Sequence, residues 1–168
     1  ANAVPFFERA KDVQPWQDDE GKEVAYLFLG TSYLERGQDG DVDRARAAYR
    51  RALELSPQYA RGYVGLGNAD YAEWRKAETS RAQAIEAGLP VDDERDVTLL
   101  NRAIDEYKRA QTATIKPETA FVDARIHVNL GNAYVVKAQA EDPTYYPLAE
   151  DEFRRVTDDY AGGITQIE

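Results

Sequence analysis

Apolar and small residues recur along this chain at intervals of three and four, in two alternating phrases. Tyr26, Leu29, Gly30 and Tyr33 form the first, at i, i+3, i+4 and i+7, which is one stripe of an α-helix. It returns as Tyr63, Leu66, Gly67 and Asp70, and again as His127, Leu130, Gly131 and Tyr134. The second phrase runs Ala45, Tyr49, Ala52 and Pro57, and its spacing is repeated at Ala3, Phe7, Ala10 and Pro15 and at Ala149, Phe153, Val156 and Ala161. Ala103, Tyr107 and Ala110 keep the first intervals, with the proline delayed to Pro117. No stretch alternates with period two, so the pattern predicts helices alone and no sheet.

The punctuation between phrases supports this. Asp43 is a candidate cap for a helix from Ala45 to Leu55, and Ser56–Pro57 stops it. From Arg61 the helical pattern runs unbroken past Trp74 and Ile85 to about Ala87, roughly 40 Å at 1.5 Å per residue. Gly88 and Pro90 close that helix, and Asp92 or Asp93 is expected to cap a long partner returning from about Glu94 towards Ala113. Pro117 and Glu118 are expected to open the next helix, because proline in a first turn sacrifices no bonded N–H.

Glycine inside a helix costs about 1 kcal/mol against alanine. Gly30, Gly67 and Gly131 hold equivalent places, so a second helix must approach closely at each. Ala45, Ala52, Ala103 and Ala110 are the matching small residues on the second helices, with Tyr26, Leu29, Tyr49, Tyr63, Leu66, Tyr107, Leu130 and Phe153 filling the gaps beside them. One helix pair cannot bury its own stripe, so successive pairs must stack.

These phrases resemble the tetratricopeptide repeat family, whose unit reads Trp-x2-Leu-Gly-x2-Tyr, then Ala-x3-Phe, then Pro. The resemblance covers a second helix of a truncated repeat at 1–15 and units at 23–57, 60–117 and 124–161, forming one array over 1–168. It departs from the family where Tyr26, Tyr63 and His127 replace tryptophan and where Asp70 replaces an aromatic, with Tyr71 as its possible substitute. It implies an all-α fold, a right-handed superhelical stack of antiparallel helix pairs with about seven helices, the central pair elongated. It also implies a protein–protein interaction scaffold or regulatory module rather than an enzyme, with a peptide or partner protein in the concave groove lined by the first helices.

Carried over by position, the groove residues are Leu27 and Thr31 from the first unit, with Val24 and Leu34 beside them. The second unit supplies Arg61, Val64, Asn68 and Tyr71, and the third Arg125, Val128 and Asn132, with Val135 following. A carboxamide can donate to and accept from a peptide backbone, and an arginine can fork onto a carboxylate. Co-chaperones of the family that grip a terminal carboxylate carry lysine and asparagine where this chain has Leu27 and Thr31, so that activity is not expected. The long central hairpin, around residues 72–100, is the other candidate for docking.

Composition narrows the partners. The net charge of −10 argues against nucleic acid, which needs a basic stripe, and no apolar run approaches a membrane span. The absence of cysteine excludes disulfides and leaves the compartment open, with the cytoplasm favoured. No methionine stands at position 1, and the phrases begin and end in mid-repeat, so a piece of a longer protein is expected, with a further helix pair due near Gly162–Gly163. Apolar residues at the two ends (Phe6 and Phe7, Val156 and Tyr160) suggest self-association of array ends, and hence a homo-oligomer, as an alternative function.

Three features mimic reactive sites. Asp39-Gly-Asp-Val-Asp43 resembles the start of a calcium loop but puts Arg50 where the bidentate glutamate belongs. Asp92 to Asp96 reads as an acidic helix start. His127 is the only histidine and falls on a packing stripe, so neither a metal, a cofactor nor a catalytic residue is expected.

Overall fold

A computed structural model describes residues 3–11, 21–92, 94–113 and 120–164. Among these, seven helices follow one another: α1 (Val4–Ala10), α2 (Lys22–Arg36), α3 (Asp41–Leu55), α4 (Ala60–Glu86), α5 (Thr98–Thr112), α6 (Ala120–Ala140) and α7 (Tyr146–Ile164). A 3-10 turn at Pro143–Tyr145 leads into α7, and no strand occurs in the described residues. Each helix packs on the next in the chain from α1 to α6, and α6 packs on α7. In addition α4 touches both α2 and α6, so the first helices of successive pairs lie side by side. This is an all-α tetratricopeptide-like solenoid. None of the described helices is long and apolar enough to cross a membrane.

The glycines are where the pairs lock. A Cβ added at Gly30 would stand 2.6 Å from the Tyr49 ring, at Gly67 2.5 Å from the Tyr107 ring, and at Gly131 2.6 Å from the Phe153 ring. It is therefore the aromatic of the second phrase that presses into the first helix. The small residues Ala45, Ala52, Ala103 and Ala110 are fully buried beside these rings. Removing each alanine methyl from water contributes on the order of 0.8 kcal/mol. One apolar cluster joins α1, α2, α3 and the front of α4, through Val4, Leu29, Tyr33, Tyr49 and Leu66. Another joins the back of α4 to α5, α6 and α7, through Trp74, Leu100, Tyr107, Leu130 and Ala149.

Several helix boundaries differ from those expected. Asp43 lies inside the first turn of α3, which starts at Asp41 after Gly40. Asp41 is the buried acid of that turn, accepting from Arg36 Nε at 2.8 Å, Arg44 Nη1 at 3.0 Å and the Gln38 N–H at 2.9 Å. Hydrogen bonding to Arg36, opposed by burial and aided by Gln38 and Arg44, holds its carboxyl far below the usual carboxylate range. The calcium-like stretch thus folds around arginines.

Only one member of the central pair is long. α4 runs 27 residues, as its periodicity predicts, and closes on Gly88 at φ +68° with Leu89 N–H donating to Ala84 C=O and Gly88 N–H to Ile85 C=O, a Schellman ending. The returning helix α5 begins at Thr98, not near Glu94, and has 15 residues. Asp92 lies in the connecting loop, while Asp96 accepts the Thr98 N–H at 2.8 Å; Asp93 lies outside the described residues. So do Pro117 and Glu118. At the far end α7 continues through Gly162 and Gly163 to Ile164.

Two polar joints cross the array. Asp70, in the place of a consensus aromatic, is 2% exposed and receives Arg46 Nε of α3 at 2.7 Å, with Arg102 of α5 at 3.2 Å. Arg46 also holds Glu73. Burial works against the Arg46 charge, yet its hydrogen bonds to Glu73 and Asp70 raise its pKa above that of a free arginine. His127 is buried as expected but does more than pack: its Nδ1 lies 2.5 Å from Glu152 Oε2 of α7, and Gln111 of α5 donates to the same carboxylate at 3.0 Å.

Candidate functional site

Along α2, Leu27, Phe28, Thr31, Leu34 and Glu35 share one face by helical spacing, and on α4 Arg61, Val64, Gly65 and Asn68 do the same. These two faces line a cleft of about 450 Å³. Arg125 of α6 reaches it from beyond α4, and Tyr49 of α3 reaches it from behind.

Tyr49 arrives through a gap left by two glycines. A Cβ at Gly30 of α2 or at Gly65 of α4 would lie 2.6 or 2.5 Å from its ring. The ring therefore passes between the two first helices, and its hydroxyl sits 3.3 Å from Thr31 Oγ1. Thr31 spends its own proton on the Leu27 carbonyl at 3.0 Å, so the Tyr49 hydroxyl donates to Thr31 and both oxygens keep free lone pairs. Burial pushes the Tyr49 phenol up to about 12, with the Thr31 hydrogen bond and Arg125 pulling it down and Glu35 pushing it up. The group stays neutral at physiological pH and serves as a polar floor.

Asn68 has a more restricted role than its composition suggests. Its Oδ1 accepts from the Tyr107 hydroxyl at 2.9 Å and from Asn129 Nδ2 of α6 at 3.0 Å. With that oxygen doubly engaged, its amide nitrogen is the group left to bind, as a donor. The cleft thus combines an accepting floor (Thr31, Tyr49), donors at its α4 and α6 side (Asn68, Arg61, Arg125) and apolar walls. Phe28 is 45% exposed and stacks on Phe7 at 5.5 Å, so the α2 wall is extended by α1.

Of the residues singled out from sequence, Leu27, Thr31, Leu34, Arg61, Val64, Asn68 and Arg125 meet in this cleft. Tyr71 does not line it: the ring stacks on Trp74 at 6.1 Å and packs into the second apolar cluster. Val128 and Asn132 are exposed on α6 and are not among the cleft's walls. Phe28, Glu35, Tyr49 and Gly65 complete the site without having been singled out for it. Gly65 carried a readable signal, since a further glycine two residues before Gly67 is hard to justify within a helix unless something passes there. At the array ends Phe6 is 63% exposed, Phe7 is engaged with Phe28, Val156 is half-buried, and the side chain of Tyr160 lies outside the described residues.

Residues 30–72 match the family profile of the TPR repeat. That stretch spans the second half of α2, all of α3 and the first half of α4, the elements that build the cleft. No curated protein sequence matches the chain.

Proposed function

Because the chain belongs to the tetratricopeptide repeat family, whose members are protein–protein interaction modules, we propose that it is a scaffold that holds an extended peptide segment of a partner in the cleft between α2 and α4. The observation that supports this most directly is the way Gly30 and Gly65 open the array for the Tyr49 hydroxyl. An extended peptide has unpaired backbone N–H groups at every second residue facing one side, and the lone pairs of Tyr49 and Thr31 suit them. Leu27, Leu34, Val64 and Phe28 offer apolar area for the side chains between. Family members are typically non-catalytic, and binding is the role we assign here.

The test is selection of short random linear peptides displayed as internal segments, followed by affinity measurement on the capped synthetic versions. The double variant Phe28→Ser/Leu34→Ser removes wall area at partly exposed positions, so the fold should persist by thermal melting while affinity falls about tenfold or more. Unchanged affinity would move binding to the outer end of α4 and its loop. Versions of the chain of different length, compared by sedimentation, address the self-association alternative: association that grows with exposure of Phe6 would favour it.

A further inference from the structure

Charge around the cleft runs against the charge of the chain. The protein carries a net −10, and most of its interior arginines and lysines are committed to carboxylates: Arg36 to Asp41, Arg46 to Asp70 and Glu73, Lys137 to Glu141. Arg125 and Arg61 are different. Both are exposed, both line the cleft, and among the described residues neither has a carboxylate within ion-pair distance; Arg61 instead hydrogen-bonds the phenol of Tyr59. One carboxylate, Glu35, shares the cleft with them. The amide nitrogen of Asn68 adds a third donor on the same side, since Tyr107 and Asn129 occupy its oxygen. Three donors, two of them cations without a carboxylate of their own, make this side selective for an anion.

From this arrangement, and resting on the groove reading above, we propose that the segment bound in the cleft carries an aspartate or glutamate side chain facing Arg61, Arg125 and Asn68, next to a bulky apolar side chain seated against Phe28, Leu34 and Val64. The acid is internal to the segment and is not a chain terminus. The face continues past Arg125 to exposed Val128 and Asn132 on α6, so a strand of peptide has room to run on. The arginines are solvated groups on long stems, suited to a side chain at the rim. The acid is also local, because a broadly acidic partner surface would be repelled by the rest of this chain.

The peptides recovered from the displayed library should be enriched in Asp or Glu beside Leu, Ile, Phe, Tyr or Trp. In their capped synthetic forms, exchange of that acid for its amide should weaken binding about tenfold. Arg61→Gln/Arg125→Gln should cause a similar loss and should bind acid and amide peptides equally, with melting temperature unchanged. Raising the salt from low to high concentration should erode the wild-type preference. Peptides without acidic enrichment, or equal affinity for acid and amide forms, overturn the proposal. A preference that requires a free C-terminal carboxylate also overturns it. In each of those cases loss of affinity in Phe28→Ser/Leu34→Ser leaves the groove reading standing, whereas affinity insensitive to that variant and to both arginines removes both.

Discussion

Gly67 and Tyr107 show how tightly single residues are matched. A methyl group at Gly67 would lie 2.5 Å from Tyr107 Cε1, and the ring is tied at its far end by the hydrogen bond from its hydroxyl to Asn68. Replacing glycine by alanine in a helix gains about 1 kcal/mol, while overpacking a filled site costs about 1–3 kcal/mol. With the ring held at both ends the second effect wins, so Gly67→Ala should lose up to about 2 kcal/mol in urea unfolding. A variant as stable as the parent would mean that the ring has slack. At this scale the sequence showed which residues are small and which large, and glycines at fixed intervals implied a close neighbour. It did not show that the aromatic of the second phrase fills the gap, nor that the Tyr49 ring passes between two first helices to border the cleft. A phenol at helical spacing looks the same whether its ring stays within one helix pair or passes between two first helices; only the gap at Gly65, on another helix, decides.

Among the elements, α4 outruns its partner. Beyond Trp74 no helix covers it within the central pair, because α5 starts only at Thr98. A strap of loop residues is tied to it instead, by Trp74 Nε1 donating to the Asp96 carbonyl at 3.1 Å, by Arg81 Nη2 to the Asp92 carbonyl at 3.1 Å, and by Arg95 near Glu78 at 3.6 Å. Three polar attachments, one of them exposed, protect a helix far less than a packed apolar stripe. Amide exchange from Lys76 to Glu86 should therefore be at least about tenfold faster than from Gly62 to Trp74. Equal protection would show that the strap does the work of a helix. The length of α4 was legible, since period 3.6 and a glycine–proline stop are local signals. The start of α5 was not. Asp92, Asp96 and their neighbours all have helix-opening chemistry, and the choice among them fell to an indole 22 residues away.

Across the whole molecule, the stacking of pairs depends on polar joints as well as on apolar clusters. Asp70 receives Arg46 from α3 and Arg102 from α5, so one carboxylate holds three helices. Removing one partner of a buried ion pair is costly, because the other is left uncompensated. Asp70→Asn should lose about 3 kcal/mol in chemical denaturation, and Arg46→Met/Asp70→Leu should recover much of that loss. Equal losses in the single and double variants would mean that the site matters for its shape and not for its charge. Asp70 stood out in the sequence as a departure from the repeat, yet a lone acid at an aromatic position does not reveal its partner. Arg46 lies 24 residues earlier, amid other arginines with the same spacing credentials.

What the sequence determined unaided was the repeating part: helices, their pairing and the order of pairs. All of these follow from short-range periodicity, which every copy of the phrase states again. Tertiary structure alone decided the departures from the repeat: the ring threaded between α2 and α4, the carboxamide fixed by Tyr107 and Asn129, and the two cleft arginines with no carboxylate in ion-pair distance among the described residues. Each depends on atoms from elements far apart in the chain meeting within a few ångströms, and a single sequence does not encode such distances in any local pattern.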